Sequence, residues 1–172
     1  LGDVYKRQGR VDVLVNNAGM SPLYESLTDV SEKLFDAVLN LNLKGPFRLS
    51  ALVGERMLAA GGGSIINVST SGSLRPDPTF LPYAAAKAGL NATTEALAKA
   101  FGPTVRVNTL MPGPFLTDIA DAWTFDPDAA FGHLALHRAG EPREIIGAAL
   151  FLMSDASSFT TGSIIRADGG QP

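Results

Sequence analysis

Tyr83 and Lys87 are the first pair of side chains in this sequence that could do chemistry together, because they stand four residues apart in the run YAAAK. This spacing near the start of a helix places the phenol and the ammonium on one face. A nearby positive charge favours the phenolate and lowers a phenol pKa from about 10 toward neutral pH. The phenol could then act as a general acid or base. The pair by itself is also typical of an ordinary helix surface.

The elements that must position this pair alternate short β-branched runs with longer helical patterns. Strands are predicted at residues 11–16, 64–69, 105–110 and 163–167, and helices at about 28–40, 43–58, 82–100 and 142–153. Such alternation is typical of βα units on a parallel sheet buried on both faces. The first strand is apolar enough to lie inside a sheet, so we expect a further strand beside it. The predicted fold class is therefore α/β, the C-terminal part of a doubly wound parallel sheet whose first βαβ half is missing.

Composition limits the kinds of partner that we expect. The 172 residues are 45% hydrophobic, carry a formal net charge of -3 and include no cysteine. Without a basic stripe, neither a nucleic acid nor an anionic membrane surface is an expected partner, and a small molecule is the better expectation. No apolar run approaches 18 residues and no secretory pattern begins the chain, so we predict a cytoplasmic protein. The lack of cysteine excludes disulfides and thiolate nucleophiles.

Five landmarks occur in order between Gly9 and the C-terminus. They are Asn16-Asn17-Ala18-Gly19 after a strand, Asn42 within LNLKGPF, the hydroxyl-rich SIINVSTSGS, Tyr83-x-x-x-Lys87, and RVNTLMPGPFLT followed by a terminal ADGG. With these landmarks the chain resembles the short-chain dehydrogenase/reductase family. The resemblance implies that residues 9–172 are a partial Rossmann-like catalytic domain that lacks its N-terminal part. It also implies an enzyme that interconverts an alcohol and a carbonyl with NAD or NADP, by direct hydride transfer and without a metal.

The resemblance implies a role for each matched residue. Tyr83 would exchange a proton with the substrate oxygen, while Lys87 would hold the nicotinamide ribose and lower the pKa of Tyr83. Asn42 would bind a water that links Lys87 to solvent. The alternative is that its side chain only satisfies backbone groups where the helix is kinked near Gly45-Pro46. Besides Tyr83 and Lys87, the residues predicted to line the cofactor site are Asn17, Ala18, Gly19, Pro112, Gly113, Phe115 and Thr117.

The sequence departs from the family at the substrate-orienting serine, thirteen positions before the tyrosine, where this chain has Thr70. Threonine has the same donor and acceptors as serine, but its branched Cβ restricts the rotamer. We expect Thr70 to take this role, with Ser71 as the rival, because the alternation of faces relaxes at a strand end. Because of this departure, the alternative that the protein is a non-catalytic member of the family, which keeps the fold for nucleotide binding or regulation, stays open.

Three further expectations concern the rest of the chain. Residues 3–8 back-translate to GAT GTG TAT AAG AGA CAG, which resembles a transposase adapter of shotgun sequencing, so residues 1–8 are set apart from the domain. No G-x-G-x-x-G turn follows a strand, so we expect the chain alone to be inactive. The family implies a homodimer or homotetramer, with the outer face of the helix bearing Tyr83 and Lys87 at an interface.

Two features of the loop after residue 115 also invite interpretation. His133 and His137 are four residues apart, but Leu134 follows the first histidine where a zinc protease would have glutamate, so no metal site is predicted. The aromatic residues of this loop, Trp123, Phe125 and Phe131, indicate either an apolar substrate pocket or a small core that holds the loop together.

Overall fold

The computed structural model describes residues 9–117 and 130–172. It confirms the predicted α/β class, with four parallel strands in the order β1-β2-β3-β4. The strands are β1 (Val13–Asn16), β2 (Gly63–Val68), β3 (Val105–Pro112) and β4 (Ile164–Ala167). The α-helices that lie wholly within the described residues are α1 (Glu32–Leu39), α2 (Gly45–Ala59), α3 (Leu81–Phe101) and α4 (Ile146–Met153). Within the described residues β1 lies at a sheet edge, and Val15 is 39% exposed there. This position agrees with the expectation that the strand predicted to lie beside β1 is missing.

Helices cover both faces of the sheet because neighbouring strand residues point in opposite directions. Ile65 packs with Met57 and Phe101 in a cluster under α2 and α3. Ile66, the next residue of β2, packs with Leu152 on the other face, under α4. This arrangement explains why β2 has no polar alternation: its side chains are buried on both sides.

A chain of buried polar side chains ties the strands to the helices. The amide nitrogen of Asn16 donates to Ser50 Oγ at 2.9 Å and to Asn67 Oδ1 at 2.8 Å. The amide nitrogen of Asn67 in turn donates to Thr94 Oγ1, also at 2.9 Å. Since Asn16 lies directly opposite Asn67 in the β1–β2 register, these bonds set the register where both strands approach their carboxyl ends.

The element boundaries differ from the predicted ones at several places, among them the following three. β3 continues two residues past 110, to Pro112, because β4 pairs with its end and supplies partners for the backbone. α1 and α2 are joined without a loop by a π-helical stretch, Asn40–Lys44. The helix predicted from residue 142 begins as a 3-10 turn, Pro142–Ile145, before α4. Within the described part of the chain no helix combines the length and the apolar character that crossing a membrane requires.

Candidate active site

An open cleft of about 530 Å³ lies at the carboxyl ends of β1, β2 and β3. Ligands of open α/β sheets bind at this end of the strands, because the loops that follow neighbouring strands diverge there. The predicted site residues that line the cleft are Asn17, Thr70, Tyr83, Pro112, Gly113, Phe115 and Thr117. Asn42, Ser71 and Lys87 are instead buried beside it, and Ala18 and Gly19 lie on the exposed turn after β1.

Helix α3 brings Tyr83 and Lys87 together. It begins at Leu81, with Pro82 in the first turn, where a missing N–H costs no hydrogen bond. The four-residue spacing puts both side chains on one face, and Lys87 Nζ lies 5.7 Å from the centre of the Tyr83 ring. The lysine is not a solvated surface residue, because its side chain is only 2% exposed. Its burial argues against the ordinary helix surface that the pair alone allowed.

The Lys87 ammonium is held by the end of a strand. Nζ donates to the backbone oxygen of Val68, the last residue of β2, at 2.6 Å. Burial disfavours the charged amine and lowers the pKa of Lys87 to about 8. The amine therefore changes charge in a range where an exposed lysine stays protonated.

The Tyr83 phenol contacts the Thr70 hydroxyl, and the two influences on its acidity oppose each other. Burial raises the pKa of Tyr83 above its usual value, and this is the larger effect. The hydrogen bond from Thr70 lowers the pKa and offsets part of that rise. The sequence predicted a Tyr83 pKa lowered by Lys87, and this direction is wrong for this structure. The physical reason is that the phenol leaves water when it enters the cleft wall, and the free energy of charging rises.

Thr70 rather than Ser71 lies against the phenol. Thr70 caps a short 3-10 turn, Ser71–Ser73, and its Oγ1 accepts a hydrogen bond from the Gly72 amide at 3.3 Å. This bond uses an acceptor position and leaves the hydroxyl proton for Tyr83. The Ser71 side chain is buried, 7% exposed, and does not line the cleft.

Asn42 lies inside the π-helical stretch and is fully buried. Its amide nitrogen donates to Val38 O and Met20 O, both at 2.9 Å, and its Oδ1 accepts from Met20 N at 3.2 Å. In a regular α-helix the Asn42 carbonyl would accept from residue 46, which is proline and has no N–H. The side chain thus satisfies backbone groups of α1 and of the turn after β1, and it makes no hydrogen bond to Gly45 or Pro46. Its role as the holder of a water beside Lys87 stays a prediction.

Gly19 lies directly over Asn42 and Lys87. A Cβ at this position would come within 2.8 Å of Asn42 Oδ1 and 3.6 Å of Lys87 Nζ. The first distance is shorter than carbon and oxygen tolerate, so only glycine fits without movement of the asparagine. The turn after β1 and the amine of α3 are thereby brought into close approach.

The segment after β3 is anchored on both sides. Gly113 donates to Ala167 O at 3.0 Å, and a Cβ on Gly113 would lie 2.7 Å from the backbone of Asp168. Further along, Phe115 forms a bridge with Gly140, which has no side chain and packs against the Phe115 ring. Thr117 is exposed at the end of this segment.

Several predictions concern residues away from the cleft. His133 and His137 do not share a helix face, and His137 Nδ1 lies 2.8 Å from Gly132 O. Across residues 9–117 and 130–172, no group of three or more histidine, cysteine and acidic side chains is arranged to hold a metal ion. Phe131 packs with Leu134 and Ala139 in a small core. Trp123, Phe125 and residues 1–8 lie outside the described residues.

Two residues near the site were not singled out from the sequence. The hydroxyl of Tyr24 donates to Pro78 O at 2.5 Å and accepts from Leu81 N, the first amide of α3, at 2.8 Å. The amide nitrogen of Asn91 donates to Ser73 Oγ at 2.9 Å. Asn91 stands eight residues after Tyr83, so the helical spacing of its position was the signal that could have found it.

Comparison with known proteins agrees with these features. A family model described as enoyl-(acyl carrier protein) reductase matches residues 1–171. The 3-oxoacyl-(acyl-carrier-protein) reductase FabG of Thermotoga maritima is 39% identical over 169 residues, which cover 97% of this chain and 68% of that protein. Human dehydrogenase/reductase SDR family member 4 is 34% identical, and the match covers 97% of this chain but 62% of that protein. The chain thus spans about two thirds of the length of these relatives.

A solved structure extends the agreement to three dimensions. The gluconate 5-dehydrogenase of Burkholderia cenocepacia, solved with NADP and tartrate, superposes with a TM-score of 0.92 at 33% identity. The superposition covers 99% of this chain and 68% of that one. The match of the family model over almost the whole chain, and the similarity to the relatives, confirm the resemblance noted in the sequence. The chain belongs to the short-chain dehydrogenase/reductase family.

Proposed function

We propose that the full-length protein containing this chain interconverts an alcohol and a carbonyl with NAD or NADP, and that Tyr83 exchanges the proton. The single observation that carries the proposal is the phenol of Tyr83 in the cleft wall beside Thr70, with the Lys87 amine 5.7 Å from its ring. The proposal concerns the full-length protein because the chain spans about two thirds of its relatives.

The residues of the cleft fit a nicotinamide dinucleotide. The cleft has a volume of about 530 Å³, which lies within the usual range for ligand sites, about 300–1,000 Å³. Lys87 carries three donors, of which Val68 O takes one, so its ammonium is suited to ribose hydroxyls. Gly19 lets the backbone approach the same amine closely. When bound, the dinucleotide supplies or accepts the hydride.

The protein's own groups handle the proton and the orientation of the substrate. Because burial raises the pKa of Tyr83, the phenol is protonated at neutral pH and is ready to donate to a carbonyl oxygen. Thr70 is suited to orient that oxygen, since its hydroxyl already lies at the phenol. The buried amine of Lys87 places a positive charge near the oxygen on which negative charge develops. We therefore propose that the phenol donates this proton in carbonyl reduction and takes it back in alcohol oxidation.

The proposal covers a class of reaction, because the relatives do not point to one substrate. The Thermotoga relative is named for a 3-oxoacyl carrier-protein substrate and the Burkholderia protein for gluconate, so their substrates differ widely. Around Tyr83 the described cleft is lined mainly by apolar side chains such as Val68, Leu110 and Ile145. A panel of neutral ketones, aldehydes and 3-oxoacyl thioesters is therefore the first set to test.

The test is oxidation of NADH and NADPH by the full-length protein with this panel. We expect turnover, and we expect Tyr83→Phe to lower kcat/KM by about 100-fold or more, the usual loss when a general acid is removed. Dinucleotide binding, measured by calorimetry, should be retained in Tyr83→Phe. Thr93→Val is the matched control on the same helix, since its hydroxyl donates only to Gly89 O among the described residues. Dinucleotide binding with no turnover by any carbonyl would instead support a non-catalytic member.

We also propose that the full-length protein is a homo-oligomer. The outer face of α3 carries the exposed alanines Ala85, Ala88 and Ala92, and Phe47 of α2 is 48% exposed. Small side chains allow another helix to approach closely, so this face suits a second copy of the chain. Light scattering on the full-length protein should give a dimer or tetramer, and Ala88→Arg should reduce its mass. A monomer in the unmodified protein would contradict the proposal.

A further inference from the structure

Asn91 is the third polar residue along the face of α3 that carries Tyr83 and Lys87. Tyr83, Lys87 and Asn91 follow one another at four-residue intervals, so they lie one helical turn apart. The first contacts Thr70 and the second contacts the end of β2. The third points to the turn after β2, where its amide nitrogen donates to Ser73 Oγ at 2.9 Å.

Ser73 passes this contact on to Thr70. Its hydroxyl donates to the Thr70 backbone oxygen at 2.7 Å, and its amide donates to the same oxygen at 3.0 Å. The backbone of Thr70 is therefore held twice by a residue that α3 itself holds. Thr70 and Tyr83 can keep their contact only if the turn and the helix do not move relative to each other, and the Asn91–Ser73 bond opposes that movement.

Asn91 is a poor choice for packing alone. Among the described residues its Oδ1 is buried with no hydrogen-bond partner. A buried polar atom without a partner carries a cost that an apolar side chain of the same shape lacks. Leucine would fill the space without this cost. The unpartnered oxygen therefore indicates that the useful part of the Asn91 side chain is its amide nitrogen, which donates to Ser73 Oγ.

We propose that Asn91 is a positioning residue which, through Ser73, holds the Thr70 hydroxyl against the Tyr83 phenol. The inference deepens the proposed function and rests on it for its consequence in turnover. The contact that it explains, between Thr70 and Tyr83, can be measured without any turnover. The two proposals can therefore fail separately.

The direct test is the titration of Tyr83 in the full-length protein, followed by NMR with ¹³C-labelled tyrosine and assigned with Tyr83→Phe. In Asn91→Leu the Thr70 hydroxyl should no longer be held at the phenol, and the pKa of Tyr83 should rise by about 0.5 to 1. Ser73→Ala should raise it similarly, while Thr93→Val should leave it unchanged. Lys87, the charged group over the Tyr83 ring, is present in every variant, so a change reports on Thr70.

Stability and kinetics complete the test. We expect Asn91→Leu to keep or raise the melting temperature, because it removes an unpartnered buried oxygen. We expect kcat to fall about 3- to 10-fold, with dinucleotide affinity unchanged. The double variant Asn91→Leu/Ser73→Ala should lose no more than either single variant, because both act on one chain of bonds.

An unchanged Tyr83 pKa in both single variants would overturn the inference, whatever happens to the rate. If one variant does not fold, the other still decides, since each breaks the same chain at a different bond. A raised pKa in a full-length protein that turns over no carbonyl would support the positioning role and count against the proposed function. A fall in melting temperature that accounts for the whole loss of activity would show a structural role only.

Discussion

Lys87 of α3 donates a hydrogen bond of 2.6 Å to the backbone oxygen of Val68, the last residue of β2, and its side chain is 2% exposed. One charged group thus joins the central helix to the end of a central strand at the edge of the cleft. The bond explains how the amine stays in place beside Tyr83. Its burial also links the stability of the fold to the protonation of the site.

Replacement of Lys87 should change how stability depends on pH. The folded pKa of about 8 lies below the ordinary 10.5, so folding favours the neutral amine. The contribution of Lys87 to the free energy of unfolding is therefore highest above pH 10.5, and it falls as the pH decreases toward 8, by about 3 kcal/mol in total. In Lys87→Met this part of the pH dependence should be missing. Urea unfolding at pH 7.5, 9 and 10.5 measures it.

Lys99→Met is the control for this measurement, since Lys99 is exposed on the same helix. It should follow the pH dependence of the unmodified protein. If the free energy of unfolding changes with pH by the same amount in Lys87→Met and in the unmodified protein, the pKa of Lys87 is not lowered in the fold.

Gly19→Ala should disturb the site through Asn42. The added Cβ would come within 2.8 Å of Asn42 Oδ1, so the asparagine must shift and weaken its bonds to Met20. We expect a loss of about 1–3 kcal/mol in the free energy of unfolding and a weaker affinity for the dinucleotide. Gly147→Ala is the matched control, because a Cβ there meets nothing within 4 Å. Alanine suits the helix better than glycine at that position, so the control should be neutral or stabilising.

Thr70→Ala and Ser71→Ala should separate the two candidate hydroxyls. Thr70 contacts Tyr83, whereas Ser71 is buried away from the cleft. We expect kcat/KM to fall at least 10-fold in Thr70→Ala and less than 3-fold in Ser71→Ala, since a hydrogen bond made in the transition state is lost only in the first. Thr70→Ser should keep most of the activity because it keeps the hydroxyl. Equal and negligible losses in both alanine variants would remove both assignments.

Tyr24→Phe should loosen the start of α3. The Tyr24 hydroxyl accepts from Leu81 N and donates to Pro78 O, and Phe80 at the N-cap has no side-chain acceptor to replace it. We expect a loss of about 1–2 kcal/mol in the free energy of unfolding, as for a removed helix cap. Calorimetric unfolding measures this loss. A melting temperature equal to that of the unmodified protein would contradict the capping role.

Much of the fold could be predicted because local patterns record local structure. The β-branched runs predicted all four strands of the described sheet, and Pro82 marked the first turn of α3. The extension of β3 to Pro112 could not be predicted, because it depends on pairing with β4 more than fifty residues later. The π-helical stretch at Asn40–Lys44 was also missed, since Gly45-Pro46 signals a kink but not how the backbone resolves it.

The sequence alone determined that Tyr83 and Lys87 share one face of a helix, because their four-residue spacing places both side chains on the same side of α3. Only the tertiary structure decided their electrostatics. Burial raises the pKa of Tyr83 and lowers that of Lys87, and neither effect can be read from neighbouring residues in the chain. The same holds for Thr70, Ser73 and Asn91, which are brought together by the packing of α3 against the turn after β2. Desolvation and hydrogen bonding depend on distances in space, and these exist only once the helices lie on the sheet.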